Sequence, residues 1–293
     1  MILLAGLLMA GAMQHQYAEV NGVKLHYVES GKGELVLFLH GFPEFWYGWR
    51  HQLPEVAKTH RAVAMDMRGY NLSSKPGQVD QYAIPQLVED VRSLAAKLNG
   101  GKKFTLVGHD WGGVVAWVFA SMHADMLDRL IIINAPHPTI FRRELANNPA
   151  QQKASEYMVM FRSDAGEKTL TDNNNAWLNR IFPHLDSGER KAYNEAWSQP
   201  GAITGGLNYY RASALGPIRD PKAVPSAGPR FDVAVPTLVI HGEKDTAILA
   251  SNLDGLDQYV AKLTIKRIPD AGHWVAQTHA ATVNDYIRDF LRP

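Results

Sequence analysis

Two carboxylates and a histidine stand out because each closes a short apolar run. Asp110 lies in LVGHDWGG, residues 106–113; Asp245 ends VIHGEKD; His273 sits in IPDAGHW. A carboxylate, an acid and a histidine can divide nucleophilic catalysis between them, the first attacking, the histidine activating water and the acid orienting the histidine. The nature of the attacking group narrows the substrate. A serine attacking a saturated carbon would form an ether, which offers water no carbonyl to attack. A carboxylate forms an alkyl ester whose carbonyl belongs to the protein, and water can cleave it. Asp110 therefore points to hydrolysis at alkyl carbon, of epoxides or alkyl halides, rather than to ester or peptide hydrolysis. Singly, Asp245 also fits a turn or helix N-cap and His273 an ordinary loop histidine. Their joint occurrence at the carboxyl ends of predicted strands carries the reading.

The rest of the composition excludes competing classes. The chain has 293 residues, of which 46% are apolar, enough for one large α/β domain with an insertion. Its formal net charge is +1 and its Lys and Arg residues are scattered, so neither nucleic acid nor a membrane surface is an expected partner. There is no cysteine, which excludes disulfides, thiolate metal sites and a Cys nucleophile. The N-terminal MILLAGLLMAGAM is apolar and contains Ala10-Gly11-Ala12, as a signal-peptide core and cleavage site would, but no Lys or Arg precedes it and it is too short to span a bilayer. Two readings stand: an export or anchoring segment, or a start-site artefact with Met13 as the original start. The expected location is cytoplasmic, or exported if residues 1–12 are a signal segment.

Positioning the three residues requires a particular scaffold. YAEVNGVKLHYVES reads as a hairpin turning at Asn21-Gly22. ELVLFLHG, RAVAMDM, KFTLVGHD, RLIIINAP, TLVIHGEKD and TIKRIPDAGH are short apolar runs, each ending in a polar turn, with helical periodicity between them. Such alternation predicts a doubly wound, mainly parallel sheet whose ligands sit beyond the strands' carboxyl ends. The alternation stops between about 135 and 230, where KASEYMVMFR, NNAWLNRIF and ERKAYNEAW read as helices and a Pro/Gly-rich return path follows. The expected organisation is a leader of uncertain status at 1–16, a core at 17–134, a helical cap at 135–230 and the second part of the core at 231–293. Asn173 to Asn175 read as a polar loop or helix start.

The strand, Gly-x-Asp-x-Gly and helix around Asp110 resemble the nucleophile elbow of the α/β-hydrolases, and the order Asp110, Asp245, His273 is the chain order that fold uses. The resemblance implies an oxyanion hole made by the backbone N–H groups of Phe42, in HGFPEFWYGW, and of Trp111. His40, Gly41 and Pro43 would shape that loop; Pro43 has no N–H of its own and would stiffen the turn, a cis Phe42-Pro43 bond being one way to do so. Trp46 and Trp49 read as core aromatics.

From about Tyr17 onward the chain resembles the epoxide hydrolases of the α/β-hydrolase fold, through HGFPEFWYGWR, DMRGYNLSSKP and GHDWGG. In that family two cap tyrosines hold the epoxide oxygen. Their matches are Tyr157, four residues before a Phe in EYMVMF, and Tyr210, the later Tyr of LNYYRA. Asn71 stands where the family often has Gly, and Asn also tolerates a positive φ. The alternative is a haloalkane or haloacid dehalogenase with the same Asp nucleophile. Against it, Phe42 occupies a loop position where haloalkane dehalogenases carry a halide-binding Asn, although Trp177 and Trp197 could supply a cap donor. Trp111 stands where fluoroacetate-type enzymes prefer Arg. A binding receptor on the same fold would show a broken triad. Water, carboxylate, histidine and tyrosines complete this chemistry, so no organic cofactor and no metal are expected; a small-molecule epoxide and water are the expected partners, and a homodimer is left open.

Overall fold

The computed structural model describes residues 13–213, 216–217 and 228–292. Of the leader expected at 1–16, residues 1–12 lie outside them, as does part of the Pro/Gly-rich return path, at 218–227, while residues 14–16 open the first strand. Eight strands form one sheet: β1 (Gln14–Val20), β2 (Val23–Ser30), β3 (Leu35–Leu39), β4 (Arg61–Met65), β5 (Phe104–His109), β6 (Leu127–Ile133), β7 (Thr237–Gly242) and β8 (Leu263–Ile268), in the spatial order β1-β2-β4-β3-β5-β6-β7-β8. From β4 to β8 every neighbouring pair is parallel, whereas β1 and β2, and β2 and β4, pair antiparallel. This is the doubly wound, mainly parallel sheet expected from the alternation of apolar runs and helical patterns.

Burial explains why those runs are continuous. Every residue of β3, β5 and β7 is buried, because a central parallel strand is covered by helices on both faces. The edges differ: β1 exposes most of its residues and β8 alternates. The first hairpin turns where expected, with Asn21 and Gly22 at φ 47° and 72°, two consecutive left-handed residues that suit a two-residue hairpin loop.

The strand order reverses between β3 and β5: the chain leaves β3 for β4 on one side and β5 for β6 on the other. In open α/β sheets that reversal opens a crevice beyond the carboxyl ends of the strands. Into it come the loop after β3, which carries His40 to Trp49, and the turn after β5, which carries Asp110.

Between β6 and β7 the described chain holds six helices, Pro138–Asn147, Pro149–Ala154, Tyr157–Arg162, Ala165–Ile181, Ser187–Trp197 and Ala202–Ala212, and no strand. KASEYMVMFR, read as one helix, is two, broken between Ala154 and Tyr157. The Asn run interrupts the fourth helix: Asn173, Asn174 and Asn175 adopt φ of 51°, 55° and 59°. Asn is the residue after Gly that best tolerates this region, and the Asn175 and Asn179 amides stabilise the kink by donating to Asn194 Oδ1.

Candidate active site

Asp110 sits between β5 and the helix Trp111–Met122 at φ 49°, ψ −121°, outside the regions ordinary residues occupy. Close packing holds the turn in place. A Cβ on Gly41 would collide with the Asp110 side chain, and one on Gly112 with the carbonyls of Leu39 and His40, so both glycines are needed for the loop and the elbow to meet. The Phe42 N–H donates to Asp110 Oδ1 at 2.8 Å. The Trp111 N–H, the first of the helix, makes no such bond to Asp110 among the described residues. The Phe42-Pro43 peptide is cis. His40 is buried; its Nδ1 donates to Gly41 O at 2.8 Å and its Nε2 accepts the Met67 N–H at 3.0 Å, joining this loop to the chain after β4.

Asp245 and His273 arrive from the ends of β7 and β8. The His273 Nδ1–H donates to Asp245 Oδ2 at 2.7 Å, and its Nε2 lies 3.6 Å from Asp110 Oδ2. Burial alone would raise the Asp245 carboxyl; the His273 charge and hydrogen bond, the Asn134 amide and the Ile248 N–H reverse this and hold it at about 2. His273 shows the opposite balance: burial would lower it, but the Asp245 and Asp110 carboxylates hold it well above the ordinary histidine value. Asp110 itself would be raised by burial, and is brought below the usual carboxylate value by His273, His109 and the Phe42 N–H. The resting site is thus an imidazolium held between two carboxylates.

The cap supplies the facing wall. Tyr157 opens the helix Tyr157–Arg162 and Tyr210 lies near the end of Ala202–Ala212, with ring centroids 6.2 Å apart. The Tyr210 ring stands edge-on to Trp111 at 5.1 Å and to Phe42 at 5.4 Å, directly over the elbow. Burial first, then the Asp110 charge, raises both phenols above the ordinary tyrosine value, so both stay protonated and available as donors. Asp110, His273, Tyr157 and Tyr210 line one pocket of about 440 Å³, with Phe161, Trp177 and Trp274 supplying much of its apolar wall. That volume suits a small organic molecule. Of the two cap tryptophans considered as halide donors, Trp197 is committed, its Nε1–H donating to Pro43 O at 2.6 Å, while Trp177 lines the pocket. Trp49 is buried against Phe38 and Trp46 packs at the core's edge. Asn71 has φ 40°, and its amide donates to Asp66 Oδ2 at 2.8 Å.

Several supporting residues had no sequence signal of comparable strength. Asn134, just after β6 at φ 40°, donates to Asp245 Oδ2 at 2.6 Å and accepts the Gly242 N–H at 2.9 Å, pinning the acid to two strand ends. The Asn in RLIIINAP, following an apolar run where a turn begins, was the available clue. Glu44 is buried beneath the site; its Oε2 accepts from His109 Nδ1 at 2.9 Å, and its Oε1 accepts from Tyr193 and Gln277. His109 Nε2 lies 3.0 Å from the His273 carbonyl oxygen. Among the described residues no group of His, Cys, Asp and Glu has the arrangement of a metal site, and no helix is long and apolar enough to cross a membrane.

Comparison with known proteins places this architecture. Residues 34–280 match the family model described as the alpha/beta hydrolase fold. The chain is 37% identical to epoxide hydrolase 3 of Xenopus tropicalis over 95% of its own length and 78% of the relative's. It is 34% identical to epoxide hydrolase 2 of Caenorhabditis elegans, over 94% and 79%. Among solved structures, it superposes with a TM-score of 0.89 and 36% identity on a variant of an epoxide hydrolase from Bacillus megaterium bound to its product (R)-3-[1]naphthyloxy-propane-1,2-diol, covering 94% of this chain and 99% of that one.

Proposed function

The chain belongs to the epoxide hydrolases of the α/β-hydrolase fold, and from that premise we propose that it opens epoxides to vicinal diols through a covalent ester on Asp110. The observation that carries the proposal is a carboxylate on the elbow, flanked by His273 and faced by two phenols across one pocket.

Asp110 Oδ1 is already held by the Phe42 N–H, so Oδ2 is the oxygen that attacks. An Oδ2–carbon bond forms, the epoxide C–O bond breaks, and the alkoxide takes a proton from Tyr157 or Tyr210. Ester formation removes the negative charge on Asp110. The same charge raised both phenols and His273, so its loss makes the phenols better acids as the alkoxide develops and weakens the hold on the imidazolium proton. That proton restores the tyrosine. The neutral imidazole, oriented by Asp245, then takes a proton from water as the hydroxide adds to the ester carbonyl. The oxyanion at Oδ1 meets the Phe42 N–H and, as it shifts, the Trp111 N–H. Collapse breaks the bond to the diol oxygen, which takes the remaining proton of the added hydroxyl, and returns the carboxylate and imidazolium.

The reading is tested by incubating the protein with aryl and alkyl epoxides and with short haloalkanes, with no added metal. Diol formation is expected; halide release with no epoxide turnover would favour dehalogenation instead.

A further inference from the structure

The pocket has one charged residue that the proposed chemistry does not use. Its charged lining residues are Asp110 and His273, which neutralise each other at the floor, and Arg180. Arg180 belongs to the last turn of the helix Ala165–Ile181, where Trp177 and Ile181 also line the pocket. Residues three and four positions apart on a helix share a face, so Trp177 and Ile181 form the half-buried part of that wall and Arg180 its exposed, outer part.

Other arginines of the cap are committed to partners. Arg162 donates to Tyr210 O at 2.9 Å, Arg211 pairs with Glu167 at 3.1 Å, and Arg190 donates to Asn179 and to the Phe182 and Leu185 carbonyls. Arg180 makes no hydrogen bond, ion pair or ring contact among the described residues. It leaves a guanidinium, a rigid fork of donors suited to a carboxylate, at the mouth of a cavity whose walls above the Asp110–His273 floor are largely aromatic and aliphatic.

We propose that Arg180 is a specificity-determining residue that favours epoxides carrying an anionic group, such as a carboxylate, at the end remote from the oxirane ring. The inference rests on the epoxide hydrolase reading. The oxirane lies on the floor between Asp110 and the tyrosines, the apolar body of the substrate runs along Trp177 and Ile181, and the anion meets Arg180 at the rim. An exposed ion pair contributes modestly, so the expected preference is about fivefold in kcat/KM, expressed mainly in KM and reduced by added salt.

The test compares two substrates of equal shape, 4-glycidyloxybenzoate and 4-glycidyloxybenzamide, on the same enzyme preparations of wild type, Arg180→Gln and Arg180→Glu. The kcat/KM ratio of benzoate to benzamide is independent of how much of each variant is folded. The ratio should favour the benzoate in wild type, fall to about one in Arg180→Gln and invert in Arg180→Glu. Turnover of both substrates with a ratio that none of the variants changes would overturn the assignment of Arg180. Turnover of neither, with no diol from any simple epoxide, would overturn the epoxide hydrolase reading beneath it.

Discussion

The floor and the roof of the pocket are built by different physics. On the floor, the candidate catalytic carboxylates are tied by hydrogen bonds: Asp245 accepts from His273, Asn134 and the Ala247 and Ile248 N–H groups, and Asp110 accepts one from Phe42. On the roof, Tyr157 and Tyr210 are placed chiefly by aromatic packing, edge-on against Phe161 at 5.3 and 4.9 Å. Groups that change charge need fixed dipoles and partners around them in a low-dielectric site, because an uncompensated charge there is costly. The phenols are neutral at rest and would carry charge only until His273 returns the proton, so packing that places them over the floor suffices. The proposed division of labour, nucleophile and base below and acid above, fits that contrast.

Substitutions can break the contrast in graded ways. The largest effect is expected on the floor. His273→Gln removes the base but leaves the nucleophile, so turnover should fall by at least ~10³-fold while Asp110 is still alkylated. Intact-protein mass spectrometry should show the ester accumulating; an unmodified protein under conditions where wild type turns over would show that His273 is needed for the first step too. On the roof, Phe at Tyr157 or Tyr210 should each slow ring opening by about 10²-fold, and the double substitution should slow it further, as the pre-steady-state rate of ester formation would reveal. Full activity in Tyr157→Phe would reduce that residue to packing.

A smaller effect on the floor sharpens the electrostatic argument. Asn134→Ala should slow ester hydrolysis about tenfold, the kinetic equivalent of ~1.4 kcal/mol. It also removes a donor that damps the Asp245 charge, so the imidazolium is held more firmly and its pKa rises further. Because the base must be neutral, the acidic limb of the hydrolysis rate should move to higher pH, by less than a unit. A limb that stays in place with a lower plateau would mean Asn134 only shapes the backbone.

The same contrast decides what the sequence could reveal. Asp110, Asp245 and His273 stand at strand ends, and an apolar run followed by a turn is a local pattern, so their convergence at the crevice was legible before any coordinates. The Asn21-Gly22 turn was legible for the same reason. Tyr157 and Tyr210 have no local signature, since a tyrosine in an amphipathic helix reads as packing, and only the family resemblance singled them out. The deepest support was hidden. Glu44 meets Gln277 across 233 positions and Tyr193 across 149, and no periodicity connects such residues. The Asn173–Asn175 run was visible as an interruption, but its three left-handed residues were not, because composition does not specify dihedral angles beyond a preference.

The covalent step is tested most directly by following oxygen through one turnover, with enzyme in excess over epoxide in ¹⁸O-labelled water. If Asp110 attacks, the oxygen added to the diol comes from its carboxylate, so the first diol should be essentially unlabelled and the peptide containing Asp110 should gain the label. A first-turnover diol fully labelled at the attacked carbon, with an unlabelled Asp110 peptide, would show that water attacks directly and would contradict the nucleophilic role of Asp110.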